Sequence, residues 1–181
     1  AAPSLTFVPL GPNPILVYGA DGFNEAAAND GSIAAPLLIN LANQNFTPDA
    51  VTGGYVTLTN VPPGLTADLE LRHATQLAVR LTGQALAHAR ADSIANLTIA
   101  FANGAFSGGN AAGVTGSQRS DLRVDFTDTL YQVHFTTSGI GMLQGPATQW
   151  VVDGSATVPV RAVAAIGHHF AGWSGDVPAG Q

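Results

Sequence analysis

The group of residues closest to a known catalytic arrangement is Gly172-Trp173-Ser174-Gly175-Asp176. A serine nucleophile of the elbow type needs Gly-x-Ser-x-Gly on a sharp strand-to-helix turn, where strain exposes its hydroxyl. Asp176 stands in place of the second glycine, and no strand–elbow–helix pattern surrounds it. The expected role is a turn, with Trp173 packed on a small core. The five histidines are His73, His88, His134, His168 and His169. His168 and His169 are adjacent, so in a strand they point to opposite faces and cannot chelate one ion together. None has zinc-like spacing to a partner with a third ligand nearby. No nucleophile, base and orienting group can be assembled from these motifs, so the sequence predicts no enzyme.

Carboxylates gather in two places. Asp21, Glu25 and Asp30 lie in the first turns, and Asp121, Asp125 and Asp128 lie near the end of the alternating region. Calcium takes six to eight oxygens, often from loops. If the first and last strands end together, Glu25 or Asp30 with Asp125 or Asp128 form the candidate calcium site. The competing expectation is turn chemistry, in which Asp and Asn side chains bond local backbone groups. Aromatic side chains offer the remaining chemistry, since they can stack on sugar rings. Trp150 follows the Gly145-Pro146 turn and is the first candidate for such a residue; Trp173 is the second. Tyr131 is expected to face inward by alternation.

Composition narrows the classes further. The chain has 181 residues, 46% hydrophobic and only 10% charged, with a net charge of −6. All six basic residues are arginine. That balance argues against a nucleic-acid partner, because phosphate binding needs a basic patch. There is no cysteine, which excludes disulfides, thiolate metal sites and cysteine catalysis. No apolar run approaches the ~20 residues of a membrane helix. Ala1-Ala2-Pro3 lacks a basic n-region, so a start after a cleavage site or inside a longer protein is expected.

The elements that must position these groups are strands. From Tyr55 to Thr82 apolar and polar residues alternate: Leu65, Ala67, Leu69 and Leu71 against Thr66, Asp68, Glu70 and Arg72, then Leu77, Val79 and Leu81 against Gln76, Ala78 and Arg80. Val61-Pro62-Pro63-Gly64 is a turn. Period-two alternation bounded by turn residues predicts half-buried strands. Further strands are predicted at Leu5–Val8, Ile15–Tyr18, Ile33–Leu41, Asn96–Phe101 and Leu122–Phe126. Pro36 suggests an edge position or bulge for its strand. Ala85–Ala91 is alanine-rich and predicts a short helix, with Asp92 or Ser93 capping a further turn. Seven or eight short strands before residue 128 are the number expected of an Ig-like antiparallel sandwich. The texture changes near Thr127-Asp128-Thr129, so domains over 1–128 and 129–181 are expected. In the second, strands are predicted at Tyr131–Phe135, Thr148–Val152 and Thr157–Ala162, with Asp153-Gly154 as a hairpin signal.

The second region carries Tyr131-x-Val133-x-Phe135, Gly139-x-Gly141, Val152-x-Gly154, Val158-x-Val160-x-Ala162 and Gly167-x-x-Phe170-x-Gly172-Trp173-Ser174-Gly175-Asp176. This pattern resembles the divergent internalin-type B-repeat of bacterial surface and secreted proteins. The resemblance implies a small β-grasp-like module serving as an extracellular spacer or adhesion repeat. It also implies one more strand after the Gly-Asp turn, which is missing before Gln181. Residues 1–128 resemble, less specifically, β-sandwich repeats of large bacterial surface proteins. The segments carrying this are Phe23-Asn24-Glu25 with Asn29-Asp30-Gly31-Ser32, Val56-Thr57-Leu58-Thr59-Asn60-Val61-Pro62-Pro63-Gly64-Leu65, Asn96-Leu97-Thr98-Ile99-x-Phe101, Ala105-Phe106-x-Gly108-Gly109 and Asp121-Leu122. Glu25 followed by Asn-Asp-Gly is also similar to the start of Calx-β domains.

The sequence thus predicts an all-β, non-catalytic, two-module segment of a secreted or cell-surface bacterial protein. Its expected partners are neighbouring domains of the same chain, with no membrane insertion and no cofactor beyond structural calcium. Two alternatives stand beside it. One is a carbohydrate-binding accessory module of a secreted polysaccharide-degrading enzyme. The other is a filament subunit in which the arm Ser4–Val8 fills an open sheet edge of a neighbouring copy.

Overall fold

The structure is a computed structural model that describes residues 12–175. The fold is all-β, with twelve strands, three short 3-10 turns and no α-helix among the described residues. No helix there is long and apolar enough to cross a membrane. The chain divides into two compact units, Ala1–Thr127 and Asp128–Gln181. The arm Ser4–Val8, proposed as a donor strand, lies outside the described residues.

The first unit contains β1 (Ile15–Tyr18), β2 (Gly22–Asn24), β3 (Leu37–Ala42), β4 (Val56–Thr59), β5 (Leu65–His73), β6 (Gln76–Gly83), β7 (Ile94–Phe101) and β8 (Gln118–Asp125). One sheet has the order β1-β3-β6-β5 and the other β2-β8-β7-β4. Every pairing is antiparallel except β2 with β8. Alternation sends one side chain in two toward the facing sheet. Leu37, Ile39 and Leu41 of β3 and Leu77, Val79 and Leu81 of β6 meet Leu97, Ile99 and Phe101 of β7 and Leu122 and Val124 of β8 in a single core. The two sheets therefore form a β-sandwich. Phe46 and Phe106, both outside the named strands, join Phe101 in an aromatic cluster of that core, with ring centroids 5.7 to 6.0 Å apart.

Glycine at two positions is a geometric necessity. Gly64, in the Pro62-Pro63-Gly64 turn, has φ +92, and a Cβ there would lie 2.2 Å from the Gln84 carbonyl oxygen. At Gly22, where β2 joins β8, a Cβ would lie 2.1 Å from the Arg123 carbonyl oxygen. Only a residue without a side chain allows the backbones so close.

Several expectations are corrected here. Pro36 does not mark an edge: β3 lies between β1 and β6, and Pro36 precedes its first residue, where no ladder donor is required. The apolar positions Leu69 and Leu71 are only half-buried, because β5 is the edge of its sheet. Arg80 is half-buried, held by Glu70 at 2.8 Å and Asp68 at 3.9 Å. Ala85–Ala91 forms no helix. A single 3-10 turn, Arg90–Asp92, overlaps its end, with the Asp92 carboxylate accepting from the Ala89 N–H. Ser93 closes that turn at its C-terminal end, where its N–H donates to the Arg90 carbonyl at 3.3 Å, while its Oγ accepts from the Phe126 N–H.

The second unit contains β9 (Leu130–His134), β10 (Gly141–Gln144), β11 (Thr148–Val152) and β12 (Arg161–Ala164). β9 pairs with β11 and β10 with β12, both antiparallel, so the two ladders interleave along the chain. Asp153-Gly154 makes a turn but no hairpin, since β11 turns away from its sequence neighbour to pair with β9. The strand predicted over Thr157–Ala162 begins only at Arg161. Pro159 explains this, because it has no N–H to give to a ladder. The segment is instead attached through the Gln149 side chain: its Oε1 accepts from the Val158 N–H at 2.7 Å, and its Nε2 donates to the Val158 carbonyl at 2.9 Å and the Pro146 carbonyl at 3.1 Å. Tyr131 is 54% exposed, not inward, on a face where Gln149 is the one buried side chain.

Candidate functional site

Glu25 follows β2, and its backbone N–H donates to the Asp125 carbonyl at the end of β8. This pairing turns its side chain into the sandwich, where it is fully buried. Oε1 accepts from the Gly31 N–H at 2.8 Å and lies 3.0 Å from His88 Nδ1. Oε2 accepts from the Thr127 N–H at 2.9 Å and from Thr127 Oγ1 at 3.2 Å. His88 also sets its ring edgewise against Phe126 at 6.5 Å. Burial by itself would raise the Glu25 carboxyl. The donors from Thr127 and Gly31, with His88 beside them, outweigh it and hold the carboxyl below its ordinary range. Both oxygens of a carboxylate offer about four acceptor positions, and four donor atoms occupy them here. Glu25 thus fastens the first turn, the His88 loop and the last residues of the first unit to one another.

The remaining acids are engaged in the same local manner. Asp30 accepts from the Ser32 N–H at 3.0 Å and from Gln84 Nε2 at 2.8 Å. These bonds, Ser32 first, hold its carboxyl below the usual range. Asp125 forms a bidentate pair with Arg123 at 2.7 to 3.2 Å. Asp21 and Asp121 both bind Arg119, whose guanidinium lies 5.1 Å from the centre of the Tyr18 ring. Asp128 belongs to the second unit. Among the described residues no group of three or more His, Asp or Glu side chains could hold a metal ion. The structure gathers no ion site from the candidate calcium ligands Glu25, Asp30, Asp125 and Asp128 among the described residues. Glu25 has spent its oxygens on backbone and hydroxyl donors, and Asp30 and Asp125 serve a turn and an ion pair.

Ser174 lies in a stretch without helix or strand, so it has no elbow to raise its nucleophilicity. Asp176 lies outside the described residues. Trp173 sets its ring edgewise against Phe135 at 5.8 Å and Phe170 at 5.5 Å. These aromatics, with Met142 and His168, line a groove of about 430 Å³ within the second unit. Trp150 is placed differently. It lies in the middle of β11, directly opposite Gln132 of β9, and is 66% exposed. On the same face, one pair along, His134 Nδ1 and Thr148 Oγ1 are 2.7 Å apart.

Two central side chains escape a reading of the sequence. Glu25 is legible as an isolated acid before a turn, but nothing near it in the chain points to His88 or Thr127. Gln149 occupies an inward position of β11 that alternation assigns to an apolar residue, and only its distant partner Val158 explains the amide. Comparison with protein-family models, curated proteins and solved structures finds no match to this chain.

Proposed function

We propose that this chain is a non-catalytic extracellular segment of a bacterial surface or secreted protein, acting as a spacer or adhesion module. The observation that carries this reading is how its buried polar groups are used. Glu25 and Gln149 are the buried polar side chains among the described residues. Each spends its oxygens and nitrogens on hydrogen bonds that fasten one backbone segment to another. A catalytic site keeps such groups poised toward a cleft; here they act as fasteners.

The first unit supports an Ig-type module within this reading. If β1 and β2 share the letter A and the later strands run B to G, the sheets read A-B-E-D and A-G-F-C. Constant-type immunoglobulin sandwiches place ABED on one sheet and CFG on the other. For the second unit, the divergent B-repeat reading is supported by the Tyr-x-Val-x-Phe and Gly-Trp-Ser-Gly-Asp segments. The low charge and the abundant threonine and asparagine suit a passive, solvated role.

The test is turnover. The purified chain, incubated with ester, peptide and polysaccharide substrates, is expected to release no product. Hydrolysis of any of them above a heat-inactivated sample overturns the reading.

A further inference from the structure

We propose that the outer face of the β9–β11 ladder is a binding site for a neutral glycan, with Trp150 as its stacking residue. This inference goes beyond the spacer reading and does not depend on it. Residues opposite one another in an antiparallel pair share a face, as do residues two apart along each strand. The register therefore puts Leu130, Gln132 and His134 of β9 beside Val152, Trp150 and Thr148 of β11. At ~3.4 Å per residue, Thr148 to Val152 spans roughly 14 Å, room for a short oligosaccharide rather than a single ring.

The chemistry of this strip is graded along its length. Val152 and Leu130 make one end apolar, and Trp150 provides a large ring in the middle. Trp150 makes no ring contact among the described residues, unlike Trp173, whose ring already meets Phe135 and Phe170. The Gln132 amide stands opposite Trp150 and has no hydrogen-bond partner among the described residues. At the far end His134 and Thr148 bond each other through Nδ1 and Oγ1, which fixes the imidazole and leaves its other nitrogen available. An amide and an imidazole nitrogen offer both donors and acceptors.

The occupant follows from charge and polarity. None of the six residues is Asp, Glu, Lys or Arg, and the chain as a whole is acidic. An anionic polymer would find no cation on this face and net repulsion around it. An apolar peptide would leave the Gln132 amide and the imidazole unpaired at a cost. A pyranose presents C–H groups on its faces and hydroxyls around its edge. It matches an aromatic ring bordered by hydrogen-bonding groups, the usual plan of a site with an apolar body and few polar anchors.

Affinity electrophoresis of the full chain tests this in gels containing hydroxyethyl cellulose, galactomannan or laminarin, with alginate as the acidic comparator. At least one neutral polymer is expected to retard the wild type, with little effect of added salt. Trp150→Ala should abolish the retardation, Trp173→Ala should keep it, and Gln132→Ala should weaken it by about tenfold. Trp150→Phe keeps a ring at the site and should restore part of it, which separates loss of stacking from loss of fold; far-UV circular dichroism of each variant adds a control. A wild type unretarded by every neutral polymer, retarded by alginate alone, or matched by Trp150→Ala overturns the proposal and leaves the spacer reading intact. Hydrolysis of a polymer overturns the non-catalytic reading and leaves this one standing.

Discussion

Glu25 holds three segments by four hydrogen-bonding contacts, and this makes it the side chain whose loss should be felt most in the first unit. Glu25→Ala removes the acceptor from one buried and one half-buried backbone N–H. Each orphaned donor costs about 1–3 kcal/mol, so a loss of about 2–4 kcal/mol in urea unfolding is expected. His88→Ala, whose ring is partly exposed, should cost clearly less. The charge on Glu25 also sets a pH dependence. Its carboxyl is held low in the folded chain, while in the unfolded chain it returns to about 4.3. The stabilisation is therefore fully present above that value and drains away as pH falls through the folded one. Urea midpoints measured from pH 6 down to pH 3 should fall for the wild type and fall less steeply for Glu25→Gln. Asp30, Glu70, Asp121 and Asp125 are also held low, and their contribution stays in both proteins. Equal slopes would mean that Glu25 is not a charged fastener. At this scale the sequence yields which positions face inward, because alternation is local. It does not yield what a buried acid meets, because Thr127 is 102 residues from Glu25.

At the scale of elements, the period-two pattern locates most strands but is silent about where each lies in its sheet. β5 and β6 alternate equally well, yet β6 is central and β5 is an edge. The difference becomes energetic in the side chains. Leu77 on β6 is fully buried, and Leu69 on β5 is half-buried. Leu77→Ala should cost ~2–5 kcal/mol, as a large-to-small change in a packed core does, and Leu69→Ala appreciably less. Urea unfolding of the pair, with unchanged m-values, checks the order; equal costs would contradict the edge position. β10 escapes a reading of the sequence because Gly141-Met142-Leu143-Gln144 is too short to show a period. The hairpin expected at Asp153-Gly154 fails because Pro159 spoils the returning strand and Gln149 takes over its attachment. Gln149→Leu keeps the bulk of the side chain but deletes all three of its hydrogen bonds. The Val158 amide should then exchange with solvent many times faster while the β9–β11 amides stay protected. An unchanged Val158 rate would show that the segment is held by something else.

At the scale of the whole molecule, the two units differ in what holds them. The first buries an extended apolar core between two sheets, whereas the second has Gln149 as its one buried side chain among the described residues. Ile140, Met142, Trp150 and Phe170 all remain half or more exposed there. A unit of this size buries a smaller share of its surface than a larger domain does and is correspondingly marginal, the more so without a disulfide or a metal. This chain has no cysteine, and no metal-holding cluster is found among its described residues. The change of texture near Thr127-Asp128-Thr129 is legible in the sequence, but the difference in packing is not. The Val and aromatic alternation of β9 and β11 reads like that of the sandwich, and only the low burial of their side chains distinguishes them. Unfolding should therefore occur in two steps, with the second unit opening first, as multi-domain chains often do. The sequence supplies a clean way to see it. Both tryptophans, Trp150 and Trp173, lie in the second unit, so their fluorescence reports that unit alone. Far-UV circular dichroism is dominated by the eight strands of the first. In a urea titration the fluorescence change is expected at lower denaturant than the main dichroism change. A chain cut after Thr127 should keep the dichroism transition at the same midpoint. Coincident curves in the full chain, together with a lowered midpoint in the shortened one, would mean that the two units fold as one.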